Sequence, residues 1–500
     1  MGPAAVSGSR WWDLVEQQDR ADIQAIVARG LGNLPHSRAL FVDFGSASRT
    51  GLCAWLGALA QQVTSVVGGA GRPGSAVQVA LSAEAVGRLR PDALAAPGWD
   101  IAWRMGMGHP QRRRLLGDEL PGAWLGGARR WRGASDTGET LRFHAHALVL
   151  LYAYDQTALN QLGVALPALP DGASANSLDT RVDANAGHAS GSPGPREHFG
   201  FVDGLSQPRH HLPGAQDPDP WHGCALGDLL LGQVDTYGSP CHGPLVPASA
   251  KGADQLRACR PGLGSLGRNG TYLVARQLYQ DVPGFWRRMA DRALELAALG
   301  QGNAAPCHVR ALAEKLVGRT LDGAPLRPDG SSPGGDNDFG FAEHDPHGLG
   351  CPLGAHVRRA NPRDAGARHK DKAASRAGAL AAANNHRILR RGRVFGPWLD
   401  FQRGEQVPPA DGKERGLLFI ALGADIERQF ELIQQTWLLN PFFAGLGDEV
   451  DPLTGPAGPF SIQCEPVRAR VQVDRFVQLI GGDYYFLPSL AALRFLATET

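Results

Sequence analysis

The sequence predicts an α+β fold of two similar halves, because strand-then-helix units recur near both ends of the chain and hairpin signals lie between them. Residues 39–44 are apolar and β-branched enough for a strand, and residues 51–61 follow as a helix. Residues 147–154 form a second strand, and the helix over 156–166 stops at Pro167. Near the C-terminus, residues 417–422 read as a buried strand, and Ile426, Phe430, Ile433 and Trp437 fall on one face of the next helix. A closing hairpin is expected from residues 476–480 and 484–487, turning on Gly481-Gly482. Residues 171–195, 208–220, 325–338 and 364–385 have the composition of long surface excursions. The division between halves is placed near residue 207, giving units 1–207 and 208–500.

Composition excludes several classes of function. The 500 residues are 43% apolar, enough for a sizeable core, and 50 Lys and Arg stand against 49 Asp and Glu. A net charge of +1 offers no footprint for nucleic acid or an anionic membrane, so neither partner is expected. The longest apolar runs, such as residues 147–153, fall short of the ~20 residues of a spanning helix. Acids at Asp13 and Glu16 interrupt any signal-peptide core, and Pro3 and Val6 spoil a myristoylation motif. Seven scattered cysteines without a C-x-x-C pair suggest neither a disulfide framework nor a zinc site, and a cytoplasmic protein is the expectation.

Three elements carry chemistry. In Gly200-Phe201-Val202-Asp203-Gly204, a carboxylate between glycines is free to sit where backbone approaches a flat cofactor, with Phe199, Phe201 and Val202 as an apolar wall. The plainer reading is a G-x-x-D-G turn. In Gly354-Ala355-His356, an imidazole is free to ligate iron through one nitrogen while the other donates to a carboxylate. Spacing alone does not separate His356 from His386, and Cys351 reads as a thiolate ligand or as a buried structural thiol. In Arg390-Arg391 the side chains of an extended segment alternate, so only one guanidinium faces a cofactor; a salt-bridged strand end is the alternative. Together, an acid, an imidazole and a guanidinium are what a haem enzyme needs to bind iron and break a peroxide bond.

With these elements in place, the chain resembles the dye-decolourising (DyP-type) haem peroxidases, the larger members with long insertions most. The matching residues run in order through Asp22-Ile23-Gln24, Leu34-Pro35-His36, all of residues 197–208, Asn269-Gly270-Thr271 and Gly354 to Arg363. They continue through His386 to Gly392, Gly416-Leu417-Leu418-Phe419, Asp425 to Phe430 and Gly481 to Pro488.

The resemblance implies two ferredoxin-like halves, each an antiparallel sheet with peripheral helices, enclosing one haem b. It implies His356 as the axial iron ligand, Asp203 and Arg390 as the catalytic pair on the opposite face, and Leu417 and Phe419 over that face. Asp451 is implied, by approximate motif position, as the carboxylate behind His356, with loop capping as its other reading. Trp437 matches a surface radical site or packs in the core, whereas Phe395 stands where fungal relatives carry a radical tyrosine. Arg358, Arg359 and Arg363 offer a haem-propionate partner or are solvated. The activity implied is reduction of hydrogen peroxide and one-electron oxidation of dyes, phenols or other small reductants through an oxyferryl intermediate. The alternative is a haem-handling, deferrochelatase-like protein with little turnover.

Overall fold

A computed structural model describes residues 15–67, 74–118, 135–136, 141–142, 145–182, 194–211, 219–239, 243–298, 308–330, 337–464 and 468–499. The first unit runs β1 (His36–Asp43), α1 (Arg49–Ala60), β2 (Ser75–Leu81), β3 (Ala147–Ala153), α2 (Gln156–Ala165) and β4 (Ser174–Arg181). Its strands pair antiparallel in the order β4-β1-β3-β2. The second unit runs β5 (Thr271–Gln280), α3 (Val282–Ala298), β6 (Leu389–Arg390), β7 (Arg393–Phe395), β8 (Gly416–Gly423) and β9 (Val477–Leu487). Here β6 and β7 lie in line along one edge of β8, and the order β9-β5-β8-β6/β7 repeats the first unit's pattern. Each unit is therefore ferredoxin-like, and residue 207 lies in the segment between them.

Helix ends follow local chemistry. Ser48 caps α1 by accepting from the Gly51 amide at 3.1 Å, and Asp155 caps α2 by accepting from Ala158 at 2.7 Å. The two sheets join at both edges, where β9 meets β2 at Phe486 and Leu81 and β7 meets β4 at Phe395 and Thr180. Alternate residues of both sheets fill the space between them, among them Phe41, Leu148, Leu150, Leu418, Ile420 and Tyr485. Leu52, Leu56 and Leu59 of α1 cover the outer face of the first sheet, and Phe285, Trp286 and Met289 of α3 cover part of the second.

Four expectations change. Gly481-Gly482 does not turn: residues 477–487 form one strand, with a bulge where Gln277 faces Gly481 and Leu278 faces Leu479. A Cβ on Gly482 would stand 2.6 Å from the Ala275 carbonyl oxygen, so the glycine serves close approach and not reversal. The loop-like stretch 171–195 contains β4, whose Ser, Asn and Asp residues are mostly exposed. The stretch 364–385 contains a helix, Ala373–Asn384. The helix after β8 is wound with i to i+5 bonds, Glu431 to Ile426 at 2.9 Å and Leu439 to Gln434 at 3.0 Å. That wider winding buries Ile426, Phe430 and Ile433 but leaves Trp437 only half-buried.

Among the described residues no helix is long and apolar enough to cross a membrane. Cys53, Cys224, Cys351 and Cys464 are free thiols, but Cys259 is disulfide-bonded. That bond is one the scattered cysteine spacing did not suggest.

Candidate functional site

The segment carrying Asp203 has almost every backbone polar group paired. The Glu197 carboxylate accepts from the amides of Phe199 and Phe201, both at 2.9 Å, and from Gln280 Nε2 at 2.6 Å. The Phe199 carbonyl accepts from Trp286 Nε1 at 3.1 Å and Arg403 Nε at 3.0 Å, and the Gly200 carbonyl accepts from Arg196 at 2.6 Å. Gly200 has φ +108°, and a Cβ there would stand 2.1 Å from Arg403 Cδ, so only glycine fits. Val202 and Asp203 then donate to Leu321 and Pro195 carbonyls at 3.1 and 2.8 Å. The result is a fixed loop whose one loosely held group is the Asp203 side chain.

Arg390 comes to that side chain from β6. Its Nη1 lies 3.7 Å from Asp203 Oδ1, and its Nη2 donates to the Leu205 carbonyl at 2.5 Å. Gln207 clamps the Arg390 backbone from both sides, accepting from its amide at 3.1 Å and donating to its carbonyl at 3.2 Å. The two side chains are 40% and 36% exposed, and an ion pair this long and this wet adds little stability. Arg391 points the other way, donating to the carbonyls of Ile26 and Val27.

His356 opens a short helix, His356–Ala360. Its Nδ1 lies 2.9 Å from Asp451 Oδ2, and the imidazole is 28% exposed while Asp451 is wholly buried. Asp451 Oδ1 accepts from the amides of Leu453 and Thr454 and from the Thr454 hydroxyl, at 3.0, 2.8 and 2.9 Å. Among the described residues His356 Nε2 has no hydrogen-bond partner. Burial pushes the His356 pKa down, but the charge and hydrogen bond of Asp451 outweigh it and the net shift is upward. For Asp451, burial pushes up, and His356 with Thr454 brings the net shift downward. The charges of Arg390 and Asp203 also act on this imidazole.

Leu417 and Phe419 are half-buried on the outer face of β8, alternating with the core-facing Leu418 and Ile420, and the Phe419 ring lies 6.1 Å from Phe430. His386 sits apart: its Nδ1 donates to the Arg428 carbonyl at 2.7 Å, and its ring lies 5.5 Å from Trp437. Cys351 is 1% exposed, and burial pushes its thiol up to about 12, which excludes a ready thiolate. Phe395 is buried in the core between the sheets.

The basic cluster corrects the expectation of solvated arginines. Arg358, Arg359 and Arg363 are 2%, 0% and 1% exposed, and each is tied to backbone carbonyls. Arg358 donates to Cys351 and Asp345, and Arg363 to Asn337 and Phe339. Arg359 donates to Gly354, Trp437, Asn440 and Glu449, lashing the His356 helix to the segment that leads into Asp451. Five donors in a fixed fork suit that work.

No family model matches the chain. It is 32% identical over 318 residues to a multifunctional dye peroxidase of Amycolatopsis sp., covering 60% of this chain and 61% of that protein. It is 30% identical over 341 residues to a peroxidase of Mycetinis scorodonius, covering 63% and 58%. The chain thus spans about three fifths of the length of these curated relatives. Among solved structures, a DyP-type peroxidase of Anabaena sp. superposes with a TM-score of 0.70 at 24% identity, over 96% of this chain and 95% of that one. The Amycolatopsis enzyme does so with a TM-score of 0.70 over 97% and 98%. The fold is that of the DyP-type peroxidases.

Within the DyP fold, Glu197 and Gln207 lie in the matching motifs with no task assigned from the sequence, and Arg359 reads there as a propionate partner or as solvated. Apart from Gln280 on Glu197, their partners are backbone atoms, which leave no pattern of matching side chains to read. One signal was present: Arg359 follows His356 by three residues, the spacing of neighbours on a helix face.

Proposed function

We propose that this protein is a haem peroxidase, reducing hydrogen peroxide and oxidising dyes, phenols or other small reductants in one-electron steps, with one haem b per chain. The observation that carries this reading is His356, with Nδ1 held by a buried carboxylate, Nε2 free, and the charges of the Arg390–Asp203 pair acting on its imidazole. A free Nε2 on an imidazole fixed by a carboxylate is the donor an axial iron ligand requires, so the residues fit the group.

In this reading His356 Nε2 would hold the iron, Asp451 would keep the imidazole oriented and electron-rich, and Leu417 and Phe419 would offer apolar contact and narrow the approach. Haem, when bound, supplies the redox-active iron at which peroxide is reduced. The protein's own groups do the rest. Arg390 places positive charge where the departing oxygen gathers negative charge. The Asp203 carboxylate, accepting from the Gly204 amide at 2.6 Å and otherwise open, accepts a proton from peroxide and returns it to the leaving oxygen. Arg390 steadies that carboxylate from 3.7 Å, so the two act jointly.

The absorption spectrum of the purified protein, before and after one equivalent of peroxide, tests the reading alongside turnover of a small phenol. A Soret band that shifts with peroxide, together with phenol oxidation, supports it. A Soret band without phenol oxidation, with haem released on reduction, supports the haem-handling alternative instead.

A further inference from the structure

Arg359 follows His356 by three residues on the same short helix and is 0% exposed. Its Nε donates to the Gly354 carbonyl at 3.1 Å, its Nη1 to the carbonyls of Trp437 and Asn440, both at 3.0 Å, and its Nη2 to the Glu449 carbonyl at 2.6 Å. The Asp451 amide donates to the Leu438 carbonyl at 2.8 Å, so the stretch that Arg359 grips also holds Asp451. The Phe443 ring lies 5.0 Å from the guanidinium. Carbonyl dipoles satisfy the donors, yet a full charge buried in this way stays costly unless opposite charge lies close. Among the described residues Arg359 forms an ion pair with no carboxylate. Instead, the charges of Asp451 and Glu449, both buried, act on it without contact and offset part of the desolvation that pushes its pKa down.

A mechanical tie needs only the fork of donors, and its charge would have no further consequence. A charge that serves Asp451 has to be felt at His356. Asp451 Oδ2 lies 2.9 Å from His356 Nδ1, and a carboxylate in that position governs how much electron density the imidazole offers through Nε2. Besides His356, the donors to Asp451 are neutral, namely the amides of Leu453 and Thr454 and the Thr454 hydroxyl. A buried cation tempers such a carboxylate from several ångströms away, because the interior screens charge weakly. Glu449 draws on the same cation. It is 3% exposed, and its Oε2 accepts from the Ser461 amide at 2.9 Å.

We propose that Arg359 is a positioning residue whose charge, shared between Asp451 and Glu449, limits how far Asp451 enriches the His356 imidazole and so sets the reduction potential of an iron held there. The inference rests on the haem reading and goes beyond it. Spectroelectrochemical titration of the ferric/ferrous couple in the full-length holoprotein tests it. Arg359→Gln removes the charge and should favour the ferric form about tenfold, a potential about 59 mV lower for one electron. Arg359→Lys keeps the charge without the fork, and should stay near the wild-type potential while its thermal midpoint falls. Glu449→Gln keeps the shape and removes the competing carboxylate, and should move the potential the other way, upward. A mechanical tie predicts neither the opposite signs nor the rescue by lysine. Potentials that stay at the wild-type value in Arg359→Gln and Glu449→Gln, or that shift in the same direction in both, would overturn the proposal. Should Arg359→Gln not fold, the sign of the Glu449→Gln shift decides alone. Wild-type protein without a Soret band would sink the haem reading and this inference with it, whereas a normal band with unmoved potentials removes only the inference.

Discussion

His356 meets Asp451 at 2.9 Å with the carboxylate wholly buried, whereas Arg390 meets Asp203 at 3.7 Å with the two side chains 36% and 40% exposed. Asp451 accepts four hydrogen bonds, and Arg359 lashes its segment to the His356 helix. On the other side the backbone is fixed as firmly, through Glu197 and Gln207, but the reactive ends of Asp203 and Arg390 are left loose. The difference suits two tasks. A ligand has to stay put, while groups that carry a proton and follow a developing charge need freedom at their tips and rigidity at their bases.

Substitutions test that contrast, taken from the largest expected effect. His356→Ala should abolish the normal haem spectrum of the purified protein, since His386, the rival imidazole, is bonded to the Arg428 carbonyl. Arg390→Leu should slow the reaction with peroxide by about 10²–10³ in stopped-flow mixing while leaving the resting spectrum in place. Asp203→Asn, which keeps shape and removes the base, should slow it by about 10². Asp451→Asn should weaken haem retention by about 10–100-fold and alter the resting spectrum, a signature that the Asp203 and Arg390 variants should lack. Should Asp451→Asn instead affect only the peroxide rate, the contrast between the sides fails.

The smallest effect concerns acid stability. His198, in the loop that leads to Asp203, donates to the Phe395 carbonyl at 2.8 Å, and burial pushes its pKa down to about 4. At neutral pH the imidazole is neutral whether the chain is folded or not. Below about 6.5 the unfolded chain takes up a proton that the native loop refuses, so stability falls as pH drops from there toward about 4. Each displaced unit is worth about 1.36 kcal/mol, so denaturant titrations at pH 7 and pH 4.5 should differ by a few kcal/mol, and His198→Gln should flatten the difference.

Much of the fold was legible because β1, β3 and β8 are apolar runs followed by helices with capping residues or a stopping proline. The fourth strand of the first sheet was not, because Ser174 to Arg181 is a polar, largely exposed strand with the composition of a loop. Gly481-Gly482 misled for a related reason: glycine marks tight approach as well as reversal, and sequence does not distinguish them. In the candidate site, Asp203, His356 and Arg390 stood out because their side chains are chemically distinctive within recognisable motifs. Glu197 and Gln207 did not, since each binds main-chain atoms brought near only by folding, and Arg359 was legible as a charge but not as the tie between four carbonyls that it is. Arg363 shows the opposite limit, a charged residue read as a propionate partner or as solvated that the fold buries against Phe339 at 4.0 Å.

The central claim is that holding and reacting are divided between the two sides, and stopped-flow spectroscopy of Arg390→Leu addresses it most directly. The account predicts an unchanged resting Soret band and a peroxide reaction slowed by about 10²–10³. A variant that reacts at the wild-type rate, or that loses its resting spectrum as His356→Ala is expected to do, would contradict it.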